Sequence, residues 1–60
     1  MTTIKILNDF DEAIEYLSGI EMFNGLWTIG KSETILIENK IYAMDIMAEL
    51  DYCGYDFDEI

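Results

Sequence analysis

The stretch Thr34-Ile35-Leu36-Ile37-Glu38-Asn39-Lys40-Ile41-Tyr42-Ala43-Met44-Asp45-Ile46-Met47-Ala48-Glu49-Leu50-Asp51-Tyr52-Cys53-Gly54 is the most apolar part of the chain, and its reading decides the fold. It reads as a strand handing over to a helix. Thr34, Ile35, Leu36 and Ile37 are β-branched or bulky and suit a pleated, largely buried position. Asn39 follows as an N-cap, and Gly54 stands where a helix would stop. At roughly 100° per residue, Tyr42, Ala43, Ile46, Met47 and Leu50 fill one arc of that helix. Asp45 and Glu49 share a narrow wedge on the other side. Ile41, Met44 and Ala48 add a second apolar flank, so the helix asks for cover on more than one side.

Upstream, Gly30-Lys31-Ser32 separates this strand from Leu26–Ile29 at hairpin spacing, which predicts an antiparallel pair. Trp27 and Thr28 point to opposite faces, and the large aromatic is expected in the core of so small a domain. Ile20–Asn24 reads as a loop or ragged extended segment, with a turn at Gly25. Before it, Phe10, Ala13, Ile14 and Leu17 form a compact apolar stripe, with Asp11, Glu12 and Glu15 opposite, which predicts a helix of about nine residues. Asp9 and Glu12 match a capping-box spacing, and Ser18-Gly19 ends the helix. Thr2–Leu7 alternates as a short strand, with Ile4 and either Ile6 or Leu7 directed inward. The tail from Tyr52 to Ile60 alternates aromatic and acidic residues without helix or strand periodicity. It docks through Tyr55 and Phe57 or stays loose. The order predicts one α+β domain over residues 1–60, a β-α-β-β-α unit whose three-stranded antiparallel sheet is covered by two helices.

Thirteen Asp and Glu stand against three Lys and no Arg, a formal net charge of −10, while 52% of the residues are apolar. Disorder needs low hydrophobicity, so this composition predicts a folded acidic protein. Its surface repels nucleic acid and anionic membranes and attracts basic proteins. A chain of sixty residues buries only about 60% of the surface it exposes unfolded, and such scaffolds are usually helped by disulfides, a metal or another chain. One cysteine allows no internal disulfide, and the absence of His removes the usual zinc ligand sets. A partner or a second copy is the remedy left. No stretch has the apolar run of a signal peptide or a membrane helix, and the protein is expected in the cytoplasm.

Catalysis finds little support. Neither Ser18 nor Ser32 has a visible base, and Cys53 lacks a His and lies between Asp51 and Asp56, so it is expected to be structural, buried or inert. Asp51, Asp56, Asp58 and Glu59 cluster without the alternating pattern of a calcium loop, and the four glycines are too scattered to cradle phosphate. No cofactor, metal or enzymatic role is expected.

Binding through acidic faces remains. Asp11 and Glu15 are one helical turn apart with Glu12 beside them, and Asp45 and Glu49 repeat the arrangement on the second helix. Like charges at this spacing cost a few tenths of a kcal/mol of helix stability, about 5 to 6 Å separating the positions. Duplex DNA presents one charge per roughly 1.7 Å of axis, so such rows can stand in for phosphates. An over-acidic solvated surface is the plainer alternative. The consistency of sign across the whole chain favours binding, with Asp11, Glu12, Glu15, Asp45, Glu49, Asp51, Asp56, Asp58 and Glu59 as contact groups and Tyr55, Phe57 or Met22 as anchors.

A very small, strongly acidic chain without catalytic residues resembles the inhibitors encoded by bacteriophages and mobile elements, including DNA-mimicking antirestriction and anti-CRISPR proteins. Within it, Thr34 to Leu50 is similar in pattern to the strand-turn-acidic-helix modules of ArdA-type antirestriction proteins. The resemblance implies a stoichiometric inhibitor of a basic, nucleic-acid-binding host protein, working in the host cytoplasm without binding nucleic acid or membrane itself. Two alternatives share the composition: a homo-oligomeric structural or assembly protein joined through the second helix and the open sheet face, and an antitoxin-like neutraliser of a basic partner.

Overall fold

The computed structural model describes all of residues 1–60. Four strands and two helices follow one another as β1 (Thr2–Ile6), α1 (Phe10–Ser18), β2 (Trp27–Ile29), β3 (Thr34–Ile37), α2 (Lys40–Tyr52) and β4 (Phe57–Glu59), with one 3₁₀ turn at Glu21–Phe23. The sheet order is β2-β3-β1-β4, and every neighbouring pair is antiparallel. β1 therefore runs parallel to β2 across β3, and β3 parallel to β4 across β1. Each helix bridges one of these parallel pairs, which gives the split-βαβ, ferredoxin-like arrangement.

The register explains which residues are buried. Thr2 faces Ile37 and Ile4 faces Ile35, so the even positions of β1 and the odd positions of β3 share one side of the sheet. Ile4, Ile6, Ile35 and Ile37 on that side meet Ala13 and Leu17 of α1 and Ala43, Ile46 and Leu50 of α2, and all nine are buried. Both helices thus cover the same face. The opposite face carries Thr3, Lys5, Thr28, Thr34, Leu36 and Asp58, polar enough to meet water as antiparallel sheets do. Thr34 alone on that side is buried, because the hairpin turn folds over it and its hydroxyl donates to the Lys31 carbonyl at 2.6 Å.

Four expectations are corrected. The sheet has four strands: the tail forms β4 against the free edge of β1, with Phe57 opposite Ile6 and Asp58 opposite Lys5. Backbone bonds from Leu7 N to Asp56 O and from Ile60 N to Thr3 O, each 2.8 Å, extend the pairing at both ends. Three residues are too few to show a period, and Asp and Glu disfavour strands, so pairing to an open edge decides the matter. Second, Asp9 makes no capping box. It lies in the left-handed region at φ 50° and ψ 47°, and its side chain accepts no cap hydrogen bond, whereas a capping side chain works from extended backbone. Third, Phe23 is buried in the 3₁₀ turn and plugs the core beside α1, where a loop or ragged extended segment was expected. Fourth, Trp27 is only half-buried, packing against the edge of the core from the outermost strand.

Candidate functional site

The two ends of α2 are closed as the sequence requires. Asn39 Oδ1 accepts from the Ile41 amide at 2.9 Å, satisfying one of the free donors of the first turn. At the other end Gly54 takes φ 83°, which side chains disfavour. Its amide bonds to Asp51 O at 3.1 Å, and the Tyr55 amide bonds back to Leu50 O at 2.9 Å. This paired closure is a Schellman motif. It turns the chain back over the helix and delivers Tyr55 to the side that α1 occupies.

On α1, Tyr16 stands at the border between the apolar stripe and the acidic face. Its ring packs on that of Tyr55 with centroids 6.3 Å apart and planes tilted by 45°, a favourable aromatic geometry. Its hydroxyl donates to Glu49 Oε2 at 2.8 Å. That bond joins the acidic stripe of α1 to the acidic wedge of α2. A shallow depression lined by Glu12, Glu15, Tyr16, Gly19, Ile20 and Tyr55 lies over the seam.

The electrostatics of the seam are those of crowded acid. The Tyr16 phenol is held well above its ordinary value, first by the neighbouring Cys53 thiol, then by its hydrogen bond to Glu49, with burial and the nearby charge adding. Tyr55 is also raised, chiefly by burial and then by the Glu12 carboxylate near its hydroxyl. Both phenols thus remain neutral among carboxylates, Tyr16 as a donor to Glu49. A phenol whose folded value lies above the ordinary 10 stabilises the fold fully below pH 10 and loses that contribution as pH rises through the raised value. Urea midpoints should therefore fall as pH climbs above 10, and Tyr16→Phe should flatten the fall, leaving the part due to Tyr55. Equal alkaline slopes in the two proteins would show that Tyr16 is not held in this way.

The residues singled out from the sequence separate into groups. Glu12, Glu15, Glu49 and Tyr55 come together at the seam, whereas Asp11 and Asp45 lie on the same helices outside the depression. Asp51 lies exposed near the end of α2. Asp56, Asp58 and Glu59 belong to the β4 edge, and Phe57 packs against the core. Acid along an exposed edge strand repels a further strand, which gives these residues a role without any partner. Cys53 is exposed rather than buried, beside Tyr16. Tyr16 itself escaped the sequence reading, although its place between the two faces of α1 was the available sign. No three His, Cys, Asp or Glu side chains stand close enough together to hold a metal ion.

No helix is long and apolar enough to cross a membrane. No protein-family model matches the chain, and neither the curated proteins nor the solved structures hold a significant match. Fold and seam together define a class: a small, acidic split-βαβ domain with a negative, tyrosine-bearing helical face.

Proposed function

We propose that the protein is a non-catalytic interaction module, an inhibitor of the phage or mobile-element type, which occupies the basic nucleic-acid-binding surface of a host protein in place of nucleic acid. The observation that carries this reading is the seam, where acidic groups of two helices are drawn together across Tyr16 and Glu49. Little in the fold neutralises them. Lys5, one of only three cations, donates its ammonium to the Ser32 carbonyl at 2.9 Å rather than to a carboxylate. Carboxylates left uncompensated on a helical face cost stability through mutual repulsion, and a basic cleft would relieve it. Steering by such a field speeds association and weakens with salt.

The test is capture and competitive release. The protein is immobilised and exposed to a bacterial lysate in low salt, and bound protein is eluted with duplex DNA at an ionic strength that releases nothing by itself. Release of a nucleic-acid-binding protein by DNA is the expected result. Retention of nothing, or of further copies of the chain alone, would refute the reading. That second outcome would favour assembly of like copies, for which the specific support is the exposed apolar side of α2.

A further inference from the structure

Around α2, the side turned away from the core is not polar. Ile41, Met44, Ala48 and Tyr52 follow at intervals of three and four residues, the helical repeat, and so form one stripe along the outer face. All four are exposed, Ile41 to 70%, Met44 to 60% and Tyr52 to 88%. This is the second apolar flank of the helix. Neither α1 nor the sheet covers it.

The surroundings of the stripe decide what can. On the same angular count Asp45 borders it on the side of Glu49 and the tyrosine seam, and Asp51 borders it on the other. Both are exposed. Lys40, the only cation on the helix, sits in its first turn, about three turns from Asp51. In an antiparallel two-fold pairing of like copies each border meets its own counterpart, and in a parallel one each meets the opposite border. The Asp45 and Glu49 side then meets acid in an antiparallel pair, the single Lys40 of each copy is all that can offset Asp51, and the two chains each carry a net charge of −10. A partner with an apolar groove rimmed by Lys or Arg meets the opposite condition, with the aliphatic and aromatic anchors seated and both acidic borders paired.

We propose that α2 is the element that enters the partner, lying helix-in-groove with Ile41, Met44 and Tyr52 as anchors in an apolar groove lined by basic side chains. This rests on the reading of the protein as a binder of basic surfaces and names the part that supplies specificity. The acidic seam brings the partner in; the stripe holds it. Buried aromatic and aliphatic anchors carry most of the energy of an interface, while charges at its rim act on rate and salt dependence.

Two probes test it on the full chain under reducing conditions, so that the exposed Cys53 forms no cross-link. One is an amphipathic helical peptide whose leucine stripe is bordered by lysines; the other is an oligolysine of equal charge. The expected result is that the amphipathic peptide binds at least roughly tenfold more tightly than oligolysine and shifts the methyl resonances of Ile41 and Met44. The variant Ile41→Ser, Met44→Ser, Tyr52→Ser, altered only at exposed positions, should bind both probes as weakly as the unaltered chain binds oligolysine. The proposal is overturned if the unaltered chain binds both probes alike, or if the variant keeps the advantage of the amphipathic peptide. It is also overturned if the unaltered chain sediments as a dimer that the variant dissociates, since a second copy then owns the stripe. Binding of neither probe would remove the acidic reading itself, and the proposal with it.

Discussion

Phe23→Ala should remove about a third or more of the protein's stability and sharply lower its urea midpoint. The ring is buried in a turn of three residues and fills the end of the core beside α1. Truncation of a buried Phe costs about 3–5 kcal/mol through lost transfer energy and the cavity left behind. Sixty residues at the usual stability per residue amount to roughly 3–9 kcal/mol in all. No disulfide is present to make up the loss. Met22→Ala is the matched control, since the Met22 side chain is 68% exposed, and it should change stability by no more than about 0.5 kcal/mol. Circular dichroism with urea titration reads both. A Phe23→Ala protein with an unchanged midpoint would mean that the 3₁₀ turn does not anchor the core.

The second large effect concerns the acidic face. Replacing Asp11, Glu12 and Glu15 together by their amides should slow association with a basic partner roughly tenfold or more at low salt, since steering of this kind spans about 10–10³ in rate. Folding should change far less. Asp11 and Glu12 lie in the first turn of α1, where each gains about 0.3–1 kcal/mol from the helix dipole. Neutralising them loses this, while relief of the repulsion between Asp11 and Glu15 returns a few tenths. Stopped-flow association and thermal unfolding on the same samples separate the two effects. An unchanged association rate would remove the first helix from the interface.

How much of this could be seen in the sequence depends on the length of each pattern. α1, the hairpin and α2 were legible because each repeats its period, or its turn chemistry, over enough residues. Asn39 and Gly54 mark the ends of α2 by side-chain chemistry that works locally. β4 and the Phe23 turn were not legible, since three residues show no period and both are set by distant partners, the β1 edge and the open end of the core. Asp9 misled for a different reason: its residue type fits a cap, but its backbone turns left-handed at the corner between β1 and α1. At the site, Glu12, Glu15 and Glu49 followed from helical spacing. Their meeting at Tyr16 did not, because a hydrogen bond between residues 33 positions apart depends on the packing of two helices.

Tyr55 shows how a local rule becomes a feature of the site. The glycine that ends α2 permits the reversed turn, the turn places the ring, and the ring stacks on Tyr16. A side chain at Gly54 would be strained at φ 83° and would disturb the seam and the approach to β4 together.

The central claim is that the protein takes the place of nucleic acid on its partner. It is tested most directly by titrating duplex DNA onto the captured partner at increasing concentrations of this protein. Mutual exclusion is predicted: the apparent dissociation constant for DNA should rise in proportion to the protein added, and more steeply at low salt than at high. A ternary complex, with the partner holding DNA and this protein at once and undiminished affinity for each, would contradict the account.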